Sequence, residues 1–307
     1  MLREAENKIH IEGILSEVNL NEGTMTKEGK VSKTIGGSIK VRVNQVINGK
    51  EVENEVPVSM FATELKKDGT PNPAYTSIMK IKDTFVSIAA SDINSADRVR
   101  ITGAKLAMNE YYPAGSDTLT AFPRINATFV NKIANHADCN PEASFSVEFV
   151  VANKGDETNR EGEATGRYKF MGVLPQYGGK VDVIPFIAAA PGVINATSTY
   201  WSEGDTVKAI GKLNFTSKTE TYAVEVDFGE PQVKSRTINV SELIITGGTQ
   251  TPLDGELAFS TEDIQKGLAD RKVRLEQLKT KSKEKKATPA PVASSPVGGT
   301  AFTGLGF

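Results

Sequence analysis

The sequence predicts a mainly β protein: two tandem five-stranded barrels, then a C-terminal α-helix and a disordered tail. Three observations predict it. Short runs of alternating apolar and polar residues fill the first 250 positions, with turn signals at a spacing of roughly 10 residues. A weak internal repeat sets residues 95–106 (SADRVRITGAKL) beside 202–213 (SEGDTVKAIGKL), allowing a one-residue gap. A long helical pattern begins only at Ser260.

In chain order, Ile9, Ile11, Ile14 and Val18 mark a first strand over 8–18. Ile39, Val41 and Val43 alternate with Lys40, Arg42 and Asn44, a strand with one basic or polar face, and Gly36-Gly37 stands just ahead of it. Asn48-Gly49 signals a tight hairpin, because both residues tolerate positive φ. Val52, Val56, Val58 and Met60 form its partner strand. Asn72-Pro73 opens a short helix over 73–81. Val99 and Ile101 flank Arg100 in the next strand, and Ile125, Ala127 and Phe129 mark another.

A second set starts near Ala143, where Phe145, Val147 and Phe149 alternate with Ser146 and Glu148. Runs at 167–173, 180–186, 205–215 and 222–228 follow, with Gly178-Gly179 as a hairpin turn. Leu243, Ile244 and Ile245 close the set. The polar run 135–140 and Pro141 make the joint. The expected organisation is a first barrel over 1–137, a second over 138–250, a basic helix over 251–286, and a flexible linker with an apolar tip over 287–307. Five strands in two hairpins, with a helix between the third and fourth, is the layout of an oligonucleotide/oligosaccharide-binding barrel. Gly103 and Gly211 fall where so small a barrel must bend to close. A generic pair of β-sandwiches is the other architecture this pattern allows.

Ser260 is a candidate N-cap, with Asp263 three residues on. Ile264, Leu268, Val273, Leu275 and Leu278 then recur at helical spacing, which predicts a helix over 261–283. Residues 287–299 are rich in Ala, Pro, Ser and Gly, a linker composition. The tip carries Phe302 and Phe307.

Charge is divided unevenly. The net charge of the 307 residues is −2. Residues 271–286 hold eight basic and two acidic side chains, a net of +6, and the remaining C-terminal residues hold none, so 1–270 carries −8. Such a body repels phosphate unless its cations are segregated. One cysteine (Cys139) and two isolated histidines (His10 and His136) give no disulfide framework and no metal cluster. No phosphate-cradling loop, HExxH, CxxC or GxSxG motif is present. The expectation is a protein that is not an enzyme and needs no cofactor or metal. No apolar run approaches the ~20 residues that span a bilayer, and residues 1–10 lack the apolar core of a signal peptide. That predicts a soluble protein of a reducing compartment.

Binding suits this residue set better than catalysis. Single strands are held by aromatic rings that stack on bases and by cations that follow the phosphates. Candidate contacts are aromatics near turns with cations nearby, together with basic strand faces. They are Lys40 and Arg42 on one strand face; Lys105, Tyr111 and Tyr112; Arg124 after Phe122; Arg167 and Lys169; Tyr177 and Lys180; Trp201; Lys208 and Lys212; and Arg271, Lys272 and Arg274 on the helix. Phe129, Phe145, Phe149, Phe186 and Phe215 read as core. Trp201 suits core and stacking equally. The basic helix suits DNA contact or packing through its Leu/Ile stripe.

The stretches NKIHIEGILSEVNL, GGSIKVRV, ADRVRITGAKL followed by NEYY, EATGRYKFMGVLPQYGGKV, EGDTVKAIGKLNF, LIITGG and EDIQKGLADRKVRLEQLK together span nearly the whole chain. In layout they resemble phage-type single-stranded DNA-binding proteins with tandem barrels. The resemblance implies sequence-tolerant binding and protection of single strands in replication or recombination, inside a bacterial cytoplasm, with replication or recombination proteins as partners. Bacterial single-strand binders end in an acidic tip that recruits partners; this tip has no acidic residue, which puts such recruitment in doubt. A structural or virion assembly protein of two β-domains is the competing expectation, motivated by the acidic body.

Overall fold

The computed structural model describes residues 2–27, 29–159, 161–224 and 232–287. The protein is mainly β. Among the described residues, 11 strands join in one sheet. The first strands are β1 (Asn7–Lys27), β2 (Lys30–Ile47), β3 (Lys50–Thr63), β4 (Arg98–Tyr111) and β5 (Thr120–Asn126). β1 pairs with β2, β2 with β3, β3 with β5 in parallel, β5 with β4, and β4 again with β1. These five pairings form a closed ring. Helix α1 (Pro73–Thr84) lies between its third and fourth strands, with Asn72 as N-cap accepting from the Ala74 amide at 3.1 Å.

A two-residue strand, β6 (Asn131–Lys132), leads to the second set: β7 (Glu142–Thr158), β8 (Ala164–Pro175), β9 (Val181–Ala188), β10 (Thr206–Val224) and β11 (Gln232–Gly248). Their pairings repeat the first ring: β7–β8, β8–β9, β9–β11 in parallel, β11–β10 and β10–β7. Helix α2 (Pro191–Tyr200) occupies the place of α1. It was missed in the sequence because Gly192, Asn195 and Thr197 to Thr199 are poor helix formers.

Period-two alternation puts the apolar residues inside. Ile39, Val41, Val43, Val56 and Val58 fill the first ring; Phe145, Phe149, Phe170 and Phe186 fill the second. Phe149 stacks on Phe186 with centroids 4.4 Å apart. Gly103 takes φ +80° at a bulge opposite β1, and a Cβ on Gly211 would meet the Ile244 carbonyl and the Phe145 ring. Positive φ at the bulge favours glycine at 103, and the close approach of neighbouring atoms favours it at 211.

The two rings share more than a joint. β1 also pairs antiparallel with β7, from Asn7 opposite Val147 to Glu12 opposite Glu142. Buried amides seal the boundary. Gln45 accepts from the Ala143 amide at 3.1 Å and donates to the Leu213 carbonyl at 2.9 Å. Asn54 accepts from the Phe215 amide at 2.8 Å.

Four readings are corrected. Gly36-Gly37 lies inside β2, not ahead of it. The runs at 205–215 and 222–228 are not separate strands: β10 is continuous through Val224, and 225–228 lie outside the described residues. Ala127 and Phe129 follow β5 rather than belonging to it. Phe129 is exposed, not core. The C-terminal helix, α3 (Thr261–Ala287), starts where Ser260 accepts from the Asp263 amide at 3.4 Å. The expected linker and tip from 288 onward lie outside the described residues.

Candidate nucleic-acid interface

Because Ile39, Val41 and Val43 point inward, Ser38, Lys40 and Arg42 of β2 point outward. On β3 the same alternation sends Glu55, Pro57, Ser59 and Phe61 outward. On β5 it sends Phe122, Arg124 and Asn126 outward. The strand register then sets the rows. Arg42 lies opposite Glu55, Lys40 opposite Pro57, Ser38 opposite Ser59 and Gly36 opposite Phe61. Parallel pairing of Ser59 with Asn126 brings Arg124 alongside Pro57.

A cleft of about 1160 Å³ opens on this face, and Lys40, Arg42, Phe122 and Arg124 line it. Its far wall belongs to the second ring: Pro185 of β9, Phe215 to Ser217 of β10, and Asn239 to Ser241 of β11. Most of the groups on that wall are neutral and polar.

Two exposed aromatics flank the cations. Phe122 is 42% exposed and meets Tyr111 edge to face at 6.4 Å. Phe61 is 58% exposed. It lies four residues along β3 from Pro57, roughly 13 Å at strand rise. Its ring covers Gly36, where a Cβ would come within 2.9 Å of it. Phe61 went unnoticed in the sequence. Its one signal was phase: it falls out of step with Val56, Val58 and Met60.

The cations of this face are not equivalent. Lys40 pairs with Glu17 at 2.5 Å. Arg42 pairs with Glu55 at 2.7 Å and with Glu53 at 3.7 Å. The Glu55 hydrogen bond holds the Arg42 guanidinium above its ordinary pKa, against the opposing effect of burial. Arg124 makes no ion pair among the described residues, and its buried Nε has no hydrogen-bond partner.

The other expected contacts lie elsewhere. Trp201 is corrected: it is 1% exposed, donates from Nε1 to the Thr249 carbonyl at 2.7 Å, and packs edge-on against Phe149 and Phe170. Arg167 bonds Glu157 at 2.6 Å and Glu242 at 2.8 Å. Burial alone would lower its pKa, but the bonds to Glu242 and Glu157 together raise it. Lys105 pairs with Glu4, Lys208 with Glu6 at 2.9 Å, and Lys212 with Glu142 at 3.3 Å. Tyr112 is half-buried, whereas Tyr177, Lys169, Lys180 and Lys272 are exposed.

The basic helix packs on the first ring through several of its cations. Arg271 and Arg274 both bond Glu110 of β4, which is almost fully buried. Lys279 and Lys283 reach Asp117, and Ser282 donates to the Pro113 carbonyl at 2.7 Å. Much of the +6 arm is thus spent on holding the β4–β5 hairpin, which carries Tyr111, Phe122 and Arg124. Among the described residues, no cluster of three or more His, Cys, Asp or Glu is placed to hold a metal ion, and no helix is long and apolar enough to cross a membrane.

A protein-family model described as YorF matches residues 5–281. No curated protein matches the chain. Among solved structures, the wild-type single-stranded DNA binding protein from Thermus aquaticus is similar, with 9% identity and a TM-score of 0.49, over 82% of this chain and 96% of that one. A deletion mutant of the same protein gives 9% identity and a TM-score of 0.49, over 82% and 97%.

Proposed function

The chain belongs to the YorF family, and we propose that it binds single-stranded DNA without reading its sequence. The observation that carries the reading is Arg124: a cation with an unpartnered, buried Nε, on one sheet face with Lys40, Arg42 and two exposed Phe rings. A buried donor left unpaired costs free energy, and a phosphate oxygen is a suitable acceptor. Phe61 and Phe122 offer flat apolar surfaces to unpaired bases. Every base has a π-face, so stacking is tolerant of sequence. The polar far wall supplies hydroxyl and amide groups for sugars and phosphates.

The setting we propose is protection of single strands during phage replication or recombination in a bacterial cytoplasm, without catalysis. The sequence resemblance supports that setting. The test is a fluorescence titration with a labelled 30-nucleotide dT oligomer at low salt. Saturable binding that weakens as salt rises is expected, through counterion release. Absence of binding overturns the reading.

A further inference from the structure

We propose that Glu17 and Glu55 are built-in counterions of the cleft, which a phosphate must displace before Lys40 and Arg42 can bind it. The inference rests on the reading of the cleft as a single-strand site. Both ion pairs follow directly from strand pairing. Glu17 lies opposite Lys40 across β1–β2, and Glu55 lies opposite Arg42 across β2–β3. Opposite charges at such positions attract across the sheet. Ser16 Oγ donates to Glu55 at 2.5 Å and fixes the carboxylate from its other side. Arg124, on the neighbouring strand of the same face, has no carboxylate partner among the described residues.

The three cations therefore meet DNA on different terms. A free cation that neutralises a phosphate releases a condensed counterion, and the salt slope of log K steepens by about 0.7 per contact for a single strand. Arg124 meets that condition. Lys40 and Arg42 do not. When phosphate takes their place, Glu17 and Glu55 are left as unpaired anions beside the strand. They then draw in solution cations, which offsets the ions released from the DNA. The carboxylates thus weaken binding and flatten its salt dependence. They make the cleft selective as well, because a polyanion that cannot also stack on Phe61 and Phe122 gains too little to displace them. Glu17 and Glu55 are specificity-determining residues on this account.

The experiment compares the salt dependence of binding to the dT oligomer for the full chain and its variants, with far-ultraviolet circular dichroism to check folding. Glu17→Gln with Glu55→Gln is expected to tighten binding and to steepen the slope by about 1.4, two contacts' worth. The same double variant is expected to bind duplex and heparin better than the wild type does. Adding Lys40→Gln to Glu17→Gln should remove that pair's share of the steepening. Arg124→Gln in the wild-type background should flatten the slope by about 0.7. Wild-type binding with no change of slope or affinity in the folded double variant overturns the inference alone. Absence of binding by wild type and double variant alike overturns the single-strand reading, and the inference with it.

Discussion

Asn54 and Phe215 stand 161 residues apart, yet the fully buried Asn54 Oδ1 accepts the Phe215 amide proton at 2.8 Å. This bond crosses from β3 of the first ring to β10 of the second, beside the cleft. With Gln45 and the β1–β7 ladder it ties the two rings together. Asn54→Ala leaves the Phe215 amide buried without an acceptor, and should cost about 1–3 kcal/mol. Urea unfolding is expected to show one cooperative transition in the wild type; two separated transitions would refute the coupling.

Acid should loosen that same junction. Glu12 is nearly buried between β4 and β7, bonded to Arg100 at 2.6 Å and to the Asn140 amide at 2.7 Å. The Arg100 bond, helped by that amide, outweighs burial and holds the carboxyl below its ordinary pKa. A carboxyl whose pKa is depressed by folding stabilises the fold above its unfolded pKa. That stability is lost as pH falls through the folded value. The urea midpoint should therefore drop as pH falls below the ordinary carboxylate range. Glu12→Gln should lower the midpoint at neutral pH and flatten this decline; an unchanged pH profile would count against the role.

The C-terminal helix is expected to act through the β4–β5 hairpin. Glu110→Gln removes the anion that Arg271 and Arg274 share. Partial solvent exposure of the two arginines reduces the cost to about 1–3 kcal/mol. Hydrogen exchange should rise in both α3 and the hairpin. If it rises in α3 alone, the helix does not support the aromatics.

Phe61→Ala and Phe122→Ala should each weaken single-strand binding by roughly 1–3 kcal/mol, the range for one stacked base. The thermal midpoint should change less than for a core ring, since Phe61 is 58% and Phe122 42% exposed. Equal affinity for the dT oligomer in both variants would move the binding surface off this face.

Trp201 makes the opposite test. Trp201→Ala should cost about 3–5 kcal/mol of stability, as for other large buried aromatics. Trp201→Phe should retain the affinity of the wild type, and tryptophan fluorescence should respond little to added DNA. Strong quenching by the oligomer would show that the ring is reached after all.

Much of the fold was legible because β alternation is local. Inward apolar positions, the Asn48-Gly49 turn and the Ser260 helix start each depend on a few neighbouring residues. The repeat was legible for the same reason. What stayed hidden was which cations are free. Arg274 and Lys105 find their carboxylates 164 and 101 residues away, and only strand pairing and helix docking bring them together. Trp201 and Phe61 show the same division. One lies after a helix and is sealed by Thr249, Phe149 and Phe170; the other sits mid-strand and is left bare over Gly36. The sequence by itself determined which residues alternate, turn and begin helices, because those preferences act between near neighbours. The tertiary structure alone decided which charges and rings remain available to a ligand, because exposure and ion pairing depend on elements that meet only when both rings have closed.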